Sequence, residues 1–174
     1  MTTKQQCHIN RPPKSVSTGF VFICPGRYEE KAGRPCAGQT GKGLDDALSH
    51  LTQLRHDLCP SLDRYDYLIT NAWPHVEFVM KTGRSLPEAN EIAVRKNIER
   101  LRGEIEGLSH IVACGGLAHL AVRMCTEFLG YTGQVAYVAH TSRQALGCPT
   151  ADQYDEALHG WARRVVGQFR GAVL

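Results

Sequence analysis

The chain has 174 residues and a formal net charge of +3. This length is enough for one domain with its own buried core, so no disulfide or metal staple is needed, and a second domain is not expected. The slight positive charge permits nucleic acid as a partner but does not by itself indicate one.

The amino terminus lacks the apolar stretch of a signal peptide, and no later apolar run is long enough to cross a bilayer. The seven cysteines are scattered and form no CxxC pair. Cysteines placed in apolar runs are usually small buried side chains of proteins in a reducing compartment. We therefore expect a cytoplasmic protein without membrane contact.

Residues 1–17 are polar and include two adjacent prolines, which predicts an irregular arm, and residues 18–174 form the predicted single domain. Within it, apolar runs of strand length alternate with stretches of helical periodicity. The predicted strands are 18–24, 65–70, 110–114 and 134–139. The predicted helices are 44–54, 85–106, 117–129 and one that begins near 150. This alternation predicts an α/β fold with a mostly parallel sheet and helices on both faces.

Two sequence patterns mark where helices begin. Ser85 with Glu88, and Thr150 with Gln153, each have the spacing of a capping box. The helix that follows the second box repeats apolar residues at helical spacing, and its predicted buried face is Tyr154, Leu158, Trp161, Val165 and Phe169.

The polar residues that chemistry would need lie in loops that follow predicted strands. The first loop contains the adjacent carboxylates Glu29 and Glu30, the second begins at Asn71, and the third begins at His140. Because the carboxyl ends of parallel strands meet at one edge of a sheet, we expect the three loops to converge.

Gly115 and Gly116 connect a predicted strand directly to a helix. A helix that begins at the carboxyl edge of a sheet suits an anion such as a phosphate. The alternative is tight packing of strand against helix without a ligand.

The loop after the first strand resembles the first motif of the uracil-DNA glycosylase superfamily, in the branch with the pattern GEAPGxxED followed by GRPFVGxxGxxLD. The matching residues are Pro25, Gly26, Glu29, Glu30, Gly33, Arg34, Pro35, Gly38, Gly41, Leu44 and Asp45. Residues 68–71 are similar to the family's ITN segment, and residues 111–118 to its apolar strand followed by LGxxA. Residues 139–142 resemble its HPS motif, with threonine for proline.

The resemblance implies a three-layer αβα sandwich with a four-stranded, mostly parallel sheet, and a DNA glycosylase activity. In such a site Glu29 would position water or stabilise the cationic sugar, and His140 would donate to the base oxygen as charge builds. Asn71 would read the edge of the base, and by rotating its amide it suits a uracil-like or a cytosine-like edge.

Other residues of these motifs are expected to contact substrate or DNA. Those expected to bind the substrate are Cys24, Pro25, Gly26, Cys36, Asn71 and Ser142. Those expected to contact DNA are Arg27, Arg34, Lys42, Gly115, Gly116, Arg143 and Gln144. The last two lie in the loop that would fill the gap left by a flipped base.

Two departures from the pattern bear on the substrate. Ile23 stands where the resembled branch has an acid, and Cys36 stands where it has an aromatic residue that would stack on the base. A thiol in place of a phenyl ring widens the pocket, so we expect a bulky modified cytosine, such as the glucosylated hydroxymethylcytosine of phage DNA, and a role in defence against phages. The alternatives are a uracil-DNA glycosylase of base-excision repair and an inactive DNA-binding module.

The resembled branch typically carries an iron–sulfur cluster held by four cysteines, including an amino-terminal pair. Here only Cys7 precedes the first strand, so no cluster is expected, nor any metal or other cofactor. We expect a monomer that acts on DNA containing a modified or deaminated pyrimidine.

The residues also bear on two other enzyme classes. A phosphate-binding P-loop would need glycine at position 36 and serine or threonine at position 43, which are occupied by Cys36 and Gly43. A cysteine-dependent hydrolase would pair Cys24 or Cys36 with His140, since such partners meet only in space. Loss of activity on thiol alkylation would support that second class.

Overall fold

The computed structural model describes residues 6–169. Its sheet is built from the strands β1 (Ile9–Asn10), β2 (Thr18–Phe22), β3 (Leu68–Asn71), β4 (His110–Cys114) and β5 (Gln134–Val138). They lie in the order β1-β3-β2-β4-β5. The four longer strands are parallel, and β1 runs antiparallel to β3.

Helices cover both faces of this sheet. They are α1 (Arg27–Ala32), α2 (Gln39–Leu54), α3 (Val79–Thr82), α4 (Ala89–Ile92), α5 (Arg95–Glu104), α6 (Gly116–Leu129), α7 (Arg143–Leu146) and α8 (Ala151–Gln168). The core on one face is formed with α2 and α8, and the core on the other face with α5 and α6. The predicted α/β sandwich of three layers is confirmed.

The central strand β2 shows why the sheet is buried on both sides. Phe20 and Phe22 pack into the core with α2 and α8, while Val21 between them packs into the other core. Successive side chains of a strand point to opposite faces, and a parallel strand covered on both faces therefore has an unbroken apolar sequence.

Within residues 6–169 the sheet has five strands, whereas the sequence predicted four. The additional strand, β1, lies inside the predicted irregular arm and is only two residues long. Long-range contacts hold it: the His8 ring lies 3.0 Å from a Glu104 oxygen, and Asn10 Nδ2 donates to the carbonyls of Tyr65 and Tyr67 at 3.1 and 2.8 Å. The first five residues of the predicted arm, and residues 170–174 of the predicted domain, lie outside the described residues.

The predicted helix over residues 85–106 is two helices, α4 and α5. The Ser85 capping box does not form; Glu88 and Glu91 form one three residues later. Asn97, in the first turn of α5, donates from Nδ2 to the Ile92 carbonyl at 2.9 Å and to the Ala72 carbonyl at 2.8 Å. Its side chain therefore satisfies a carbonyl left free at the end of α4.

Helix α8 begins where the sequence predicted. Thr150 is its N-cap, and the Thr150 side chain accepts a hydrogen bond from the Gln153 backbone at 3.3 Å. The predicted apolar face is buried, and Trp161 has no exposed surface. Burial of a tryptophan of this kind stabilises a domain by about 3–5 kcal/mol relative to alanine.

The strand order places β2 beside β4, and the connection after β2 leads to one side of the sheet (β3) while the connection after β4 leads to the other (β5). The crevice at the carboxyl ends of the strands near such a switch point is where ligands bind in open α/β sheets. Within residues 6–169, no helix combines the length and apolarity needed to span a bilayer.

Candidate active site

A cavity of about 590 Å³ opens at the carboxyl edge of the sheet. Its volume lies in the range of roughly 300–1,000 Å³ found for small-molecule sites. The segments that follow β2, β3 and β5 all contribute to its wall, and they bring Glu29, Asn71 and His140 together around it. The convergence expected from parallel strands is therefore present.

Glu29 lies in the first turn of α1 and is 9% exposed. Its Oε2 accepts from the Gly26 backbone at 3.0 Å, and its Oε1 accepts from the Ala37 and Gly38 backbones at 3.1 and 3.2 Å. The carboxylate thus connects both ends of the loop after β2. The neighbouring Glu30 is exposed and pairs with Lys81 on α3.

His140 presents a hydrogen-bond donor at the cavity. Its Nδ1 accepts from the Ser142 backbone at 3.1 Å, so a neutral ring carries its proton on Nε2. Burial lowers the pKa of His140, and the charge of Glu29 opposes that shift. The Phe22 ring meets the imidazole edge-on, with ring centroids 5.5 Å apart. The neutral imidazole with Nε2–H is therefore the expected form near pH 7.

Helix α8 fixes the main chain on both sides of His140. Trp161 Nε1 donates to the Ala139 carbonyl at 2.8 Å, and the Tyr154 hydroxyl donates to the Thr141 carbonyl at 2.6 Å. These buried residues belong to the apolar face of α8, so core packing and the position of His140 are linked.

Asn71 ends β3 and is 3% exposed. Its Nδ2 donates to the His8 carbonyl at 3.1 Å, and within residues 6–169 no hydrogen bond to its Oδ1 is found. Rotation of the amide would turn Oδ1 towards the His8 carbonyl oxygen and break a buried hydrogen bond. The free rotation expected from the sequence is therefore opposed, and Asn71 offers a fixed acceptor.

The other predicted substrate-binding residues lie on or beside the cavity wall. Cys24, Gly26, Cys36 and Ser142 line it, and Pro25 is buried next to it. Ser142 also caps α7, where its hydroxyl accepts from the Ala145 backbone at 3.3 Å.

Burial keeps the cavity cysteines in the thiol form. It raises the pKa of Cys24 to about 12 and raises that of Cys36 well above the ordinary value. A nucleophilic cysteine needs a lowered pKa, so these environments argue against the cysteine-dependent hydrolase.

The basic residues predicted to contact DNA are exposed: Arg27, Arg34, Lys42 and Arg143. Lys42 and Arg143 line a neighbouring cleft that shares Ser142 with the cavity. Gln144 is exposed and lies on the cavity wall itself. The side chain of Arg34 instead stacks on the Tyr65 ring, 4.1 Å from its centroid.

The two glycines before α6 have different surroundings. Gly116 is exposed, whereas Gly115 is buried with a φ of 96°. A β-carbon on Gly115 would lie 3.1 Å from the Ile23 side chain and 3.6 Å from the β-carbon of His140. Gly115 therefore packs against the segments that follow β2 and β5, and of the two glycines only Gly116 is accessible to a phosphate.

Two glycines of α2 allow this helix to pack closely against the segments that follow β2 and β5. A β-carbon on Gly41 would lie 1.8 Å from the Cys36 carbonyl oxygen, and one on Gly43 would lie 2.8 Å from the Thr141 carbonyl oxygen. The atoms that these two glycines approach therefore belong to the protein, not to a ligand.

Sequence reasoning missed several residues of the cavity wall, and Phe22 and Glu77 are the two that bear on its chemistry. Phe22 was taken only as part of the buried strand, and its place at the carboxyl end of β2 was the available signal. Glu77 is a carboxylate in the loop that begins at Asn71, and only 5% of it is exposed. Among residues 6–169, no three His, Cys, Asp or Glu side chains converge as metal ligands.

The fold and the cavity define a doubly wound α/β domain with a small-molecule-sized site at the switch point of its sheet. A model of the uracil DNA glycosylase superfamily matches residues 15–160, and the chain belongs to this superfamily. Its members are typically DNA glycosylases, and membership implies a DNA substrate. Among curated proteins, none matches the chain.

Proposed function

We propose that the chain is a monofunctional DNA glycosylase that hydrolyses the N-glycosidic bond of a flipped pyrimidine and leaves an abasic site. The observation that carries the proposal is the convergence of a carboxylate, a neutral imidazole and an amide around one cavity. The reaction needs these three groups because positive charge develops on the sugar and negative charge on the leaving base.

Each group has a role that follows from its chemistry. Glu29 stands beside the sugar and orients the attacking water. The Nε2–H of His140 donates to the base oxygen that gains charge, a contact of the kind typically worth a factor of about 10²–10³ in rate. The fixed acceptor of Asn71 binds a donor on the base, which is the amino group of a cytosine or the N3–H of a uracil.

A bulky modified cytosine is the proposed substrate. Cys36 lies on the cavity wall, where a thiol occupies less space than the aromatic ring of the resembled motif. A sugar-decorated hydroxymethylcytosine, as in phage DNA, would use that space, and its removal would be a defence reaction. Uracil is the second candidate, because Phe22 on the same wall supplies an aromatic surface for an unmodified base.

We propose that Lys42 and Arg143 hold the DNA backbone. Both are exposed and line the cleft next to the cavity, so phosphates on one side of the flipped nucleotide would meet positive charge there. Gln144, on the cavity wall, is the candidate to fill the gap in the duplex.

The test is base release from oligonucleotides and phage DNAs that carry uracil, hydroxymethylcytosine or glucosylated hydroxymethylcytosine. Abasic sites are cleaved with alkali and counted on a gel. We expect one substrate to be cut, with His140→Ala slower by at least about 100-fold. His159→Ala, which changes an exposed histidine of α8, is the matched control and should keep its rate.

A parallel pair of variants tests Glu29. Glu29→Gln should slow base release, whereas Glu30→Gln, at the exposed neighbouring position, should not. If no substrate yields abasic sites while the protein still binds DNA, the domain is a binding module and the proposed activity is wrong.

A further inference from the structure

Glu77 is a buried carboxylate on the cavity wall with no role in the mechanism above. Its side chain is 4% exposed. Oε1 accepts from Trp73 Nε1 at 3.0 Å and from Arg84 at 2.7 Å, and Oε2 accepts from Arg84 Nε at 3.1 Å. A buried carboxylate fixed in this way is oriented before any ligand arrives.

The main chain brings this residue alongside the loop after β2. The Trp73 backbone donates to the Ile23 carbonyl at 2.8 Å, and the Glu77 backbone donates to the Pro25 carbonyl at 2.9 Å. Position 23 itself carries an aliphatic side chain, so the negative charge at this part of the wall comes from position 77.

The pKa of Cys24, which lies between Ile23 and Pro25, responds to the charges around this part of the cavity wall. Burial raises the pKa of its thiol most; the charges of Glu77 and then Glu29 raise it further, and the charge of Arg84 opposes them. Both carboxylates therefore act on the same part of the cavity. Negative charge at this part of the wall would stabilise a sugar that becomes positive.

We propose that Glu77 is a second catalytic carboxylate, which faces the sugar of the flipped nucleotide opposite Glu29. This inference rests on the proposed glycosylase function. The C1′–N bond breaks with its electron pair on the base, the water oxygen bonds to C1′, and the proton that water loses reaches the base through solvent. Glu77 stabilises the positive C1′ throughout without taking up the proton, while Glu29 orients the water.

Arg84 explains why Glu77 acts by charge and not as a base. Its guanidinium lowers the pKa of Glu77 to about 2, which makes this carboxylate a weak base that stays ionised at neutral pH. The same guanidinium also binds Glu91, at 2.6 and 3.1 Å, and Glu91 does not line the cavity. Glu91 therefore offers a matched control for changes that act only through Arg84.

The experiment measures single-turnover base release, on the substrate that the wild type processes fastest, for Glu77→Gln and Glu91→Gln. We expect Glu77→Gln to be slower by about 100-fold with affinity for abasic product DNA within about threefold. Glu91→Gln should keep the wild-type rate, since a glutamine also completes the capping box with Glu88. Sodium formate should restore part of the rate to Glu77→Ala by replacing the missing carboxylate.

The outcomes separate the two proposals. If the wild type releases no base, the proposed function is wrong and this inference falls with it. If the wild type is active and Glu77→Gln keeps its rate, or Glu91→Gln loses as much, only the inference is wrong. Should Glu77→Gln fail to fold, Glu77→Asp decides, because it keeps the charge but withdraws it by one methylene: a loss of about tenfold supports the role, and an unchanged rate overturns it.

Discussion

Two walls of the cavity each present a buried carboxylate, but they hold it by different means. On the wall after β2, backbone N–H groups of the same loop bind Glu29. On the wall after β3, the side chains of Arg84 and Trp73 bind Glu77. The position of Glu29 depends on the local backbone conformation, whereas that of Glu77 depends on its ion pair with Arg84. Substitutions should therefore disturb the two walls in different ways.

The largest effect is expected where the backbone of the first wall is most tightly packed. Gly41→Ala would place a β-carbon 1.8 Å from the Cys36 carbonyl oxygen, so the loop after β2 must move. We expect a loss of about 3 kcal/mol or more in the free energy of unfolding, measured by urea denaturation. In Gly160→Ala, within α8, the nearest atom is the end of the Arg164 side chain at 3.7 Å. That control should gain roughly 0.5–1 kcal/mol, and an equal loss in both variants would contradict the packing argument.

The stability that the ion pair of the second wall contributes should depend on pH. Arg84 lowers the pKa of Glu77 from an ordinary 4.5 to about 2. A carboxyl with a lower pKa in the folded state stabilises the protein above its unfolded pKa, and this contribution is lost as the pH falls through the folded pKa. Arg84→Gln should therefore be less stable than wild type at pH 7, and the difference should shrink between pH 4.5 and 2. Arg95→Gln, which breaks an exposed pair with Glu99, is the control. A difference that does not change with pH would exclude the ion pair as its cause.

A smaller effect is expected on the pKa of His140, which should respond to the charge of Glu29 but not to that of Glu77. The charge of Glu29 raises the pKa of this imidazole against the lowering by burial. Glu29→Gln should therefore lower the pKa of His140 further, whereas Glu77→Gln should leave it nearly unchanged. Titration of the ring by NMR measures both shifts, and the nitrogen spectra of the neutral form should show the proton on Nε2. A proton on Nδ1 would contradict the Ser142 hydrogen bond.

Sequence alone anticipated the parts of the site that local patterns encode. The buried strands, the start of α8 at Thr150 and the convergence of Glu29, Asn71 and His140 follow from periodicity, capping and parallel topology. Features that depend on distant side chains were not visible. Strand β1 needs contacts between residues about 60 or more positions apart, and Glu77 gains its fixed position only when Arg84 and Trp73 fold against it.

The smallest effect is expected at Cys24, on which both walls act. Its pKa of about 12 leaves a fraction of roughly 10⁻⁵ as thiolate at pH 7, too little to react quickly with iodoacetamide. We expect mass spectrometry to find Cys24 unmodified in the folded protein and the rate of base release to change by less than twofold. The same treatment in urea should alkylate all seven cysteines and serves as the control. Inactivation in step with alkylation of Cys24 would instead mean that burial and the two carboxylates do not hold this thiol protonated, and the cysteine-dependent hydrolase would become the better account of the cavity.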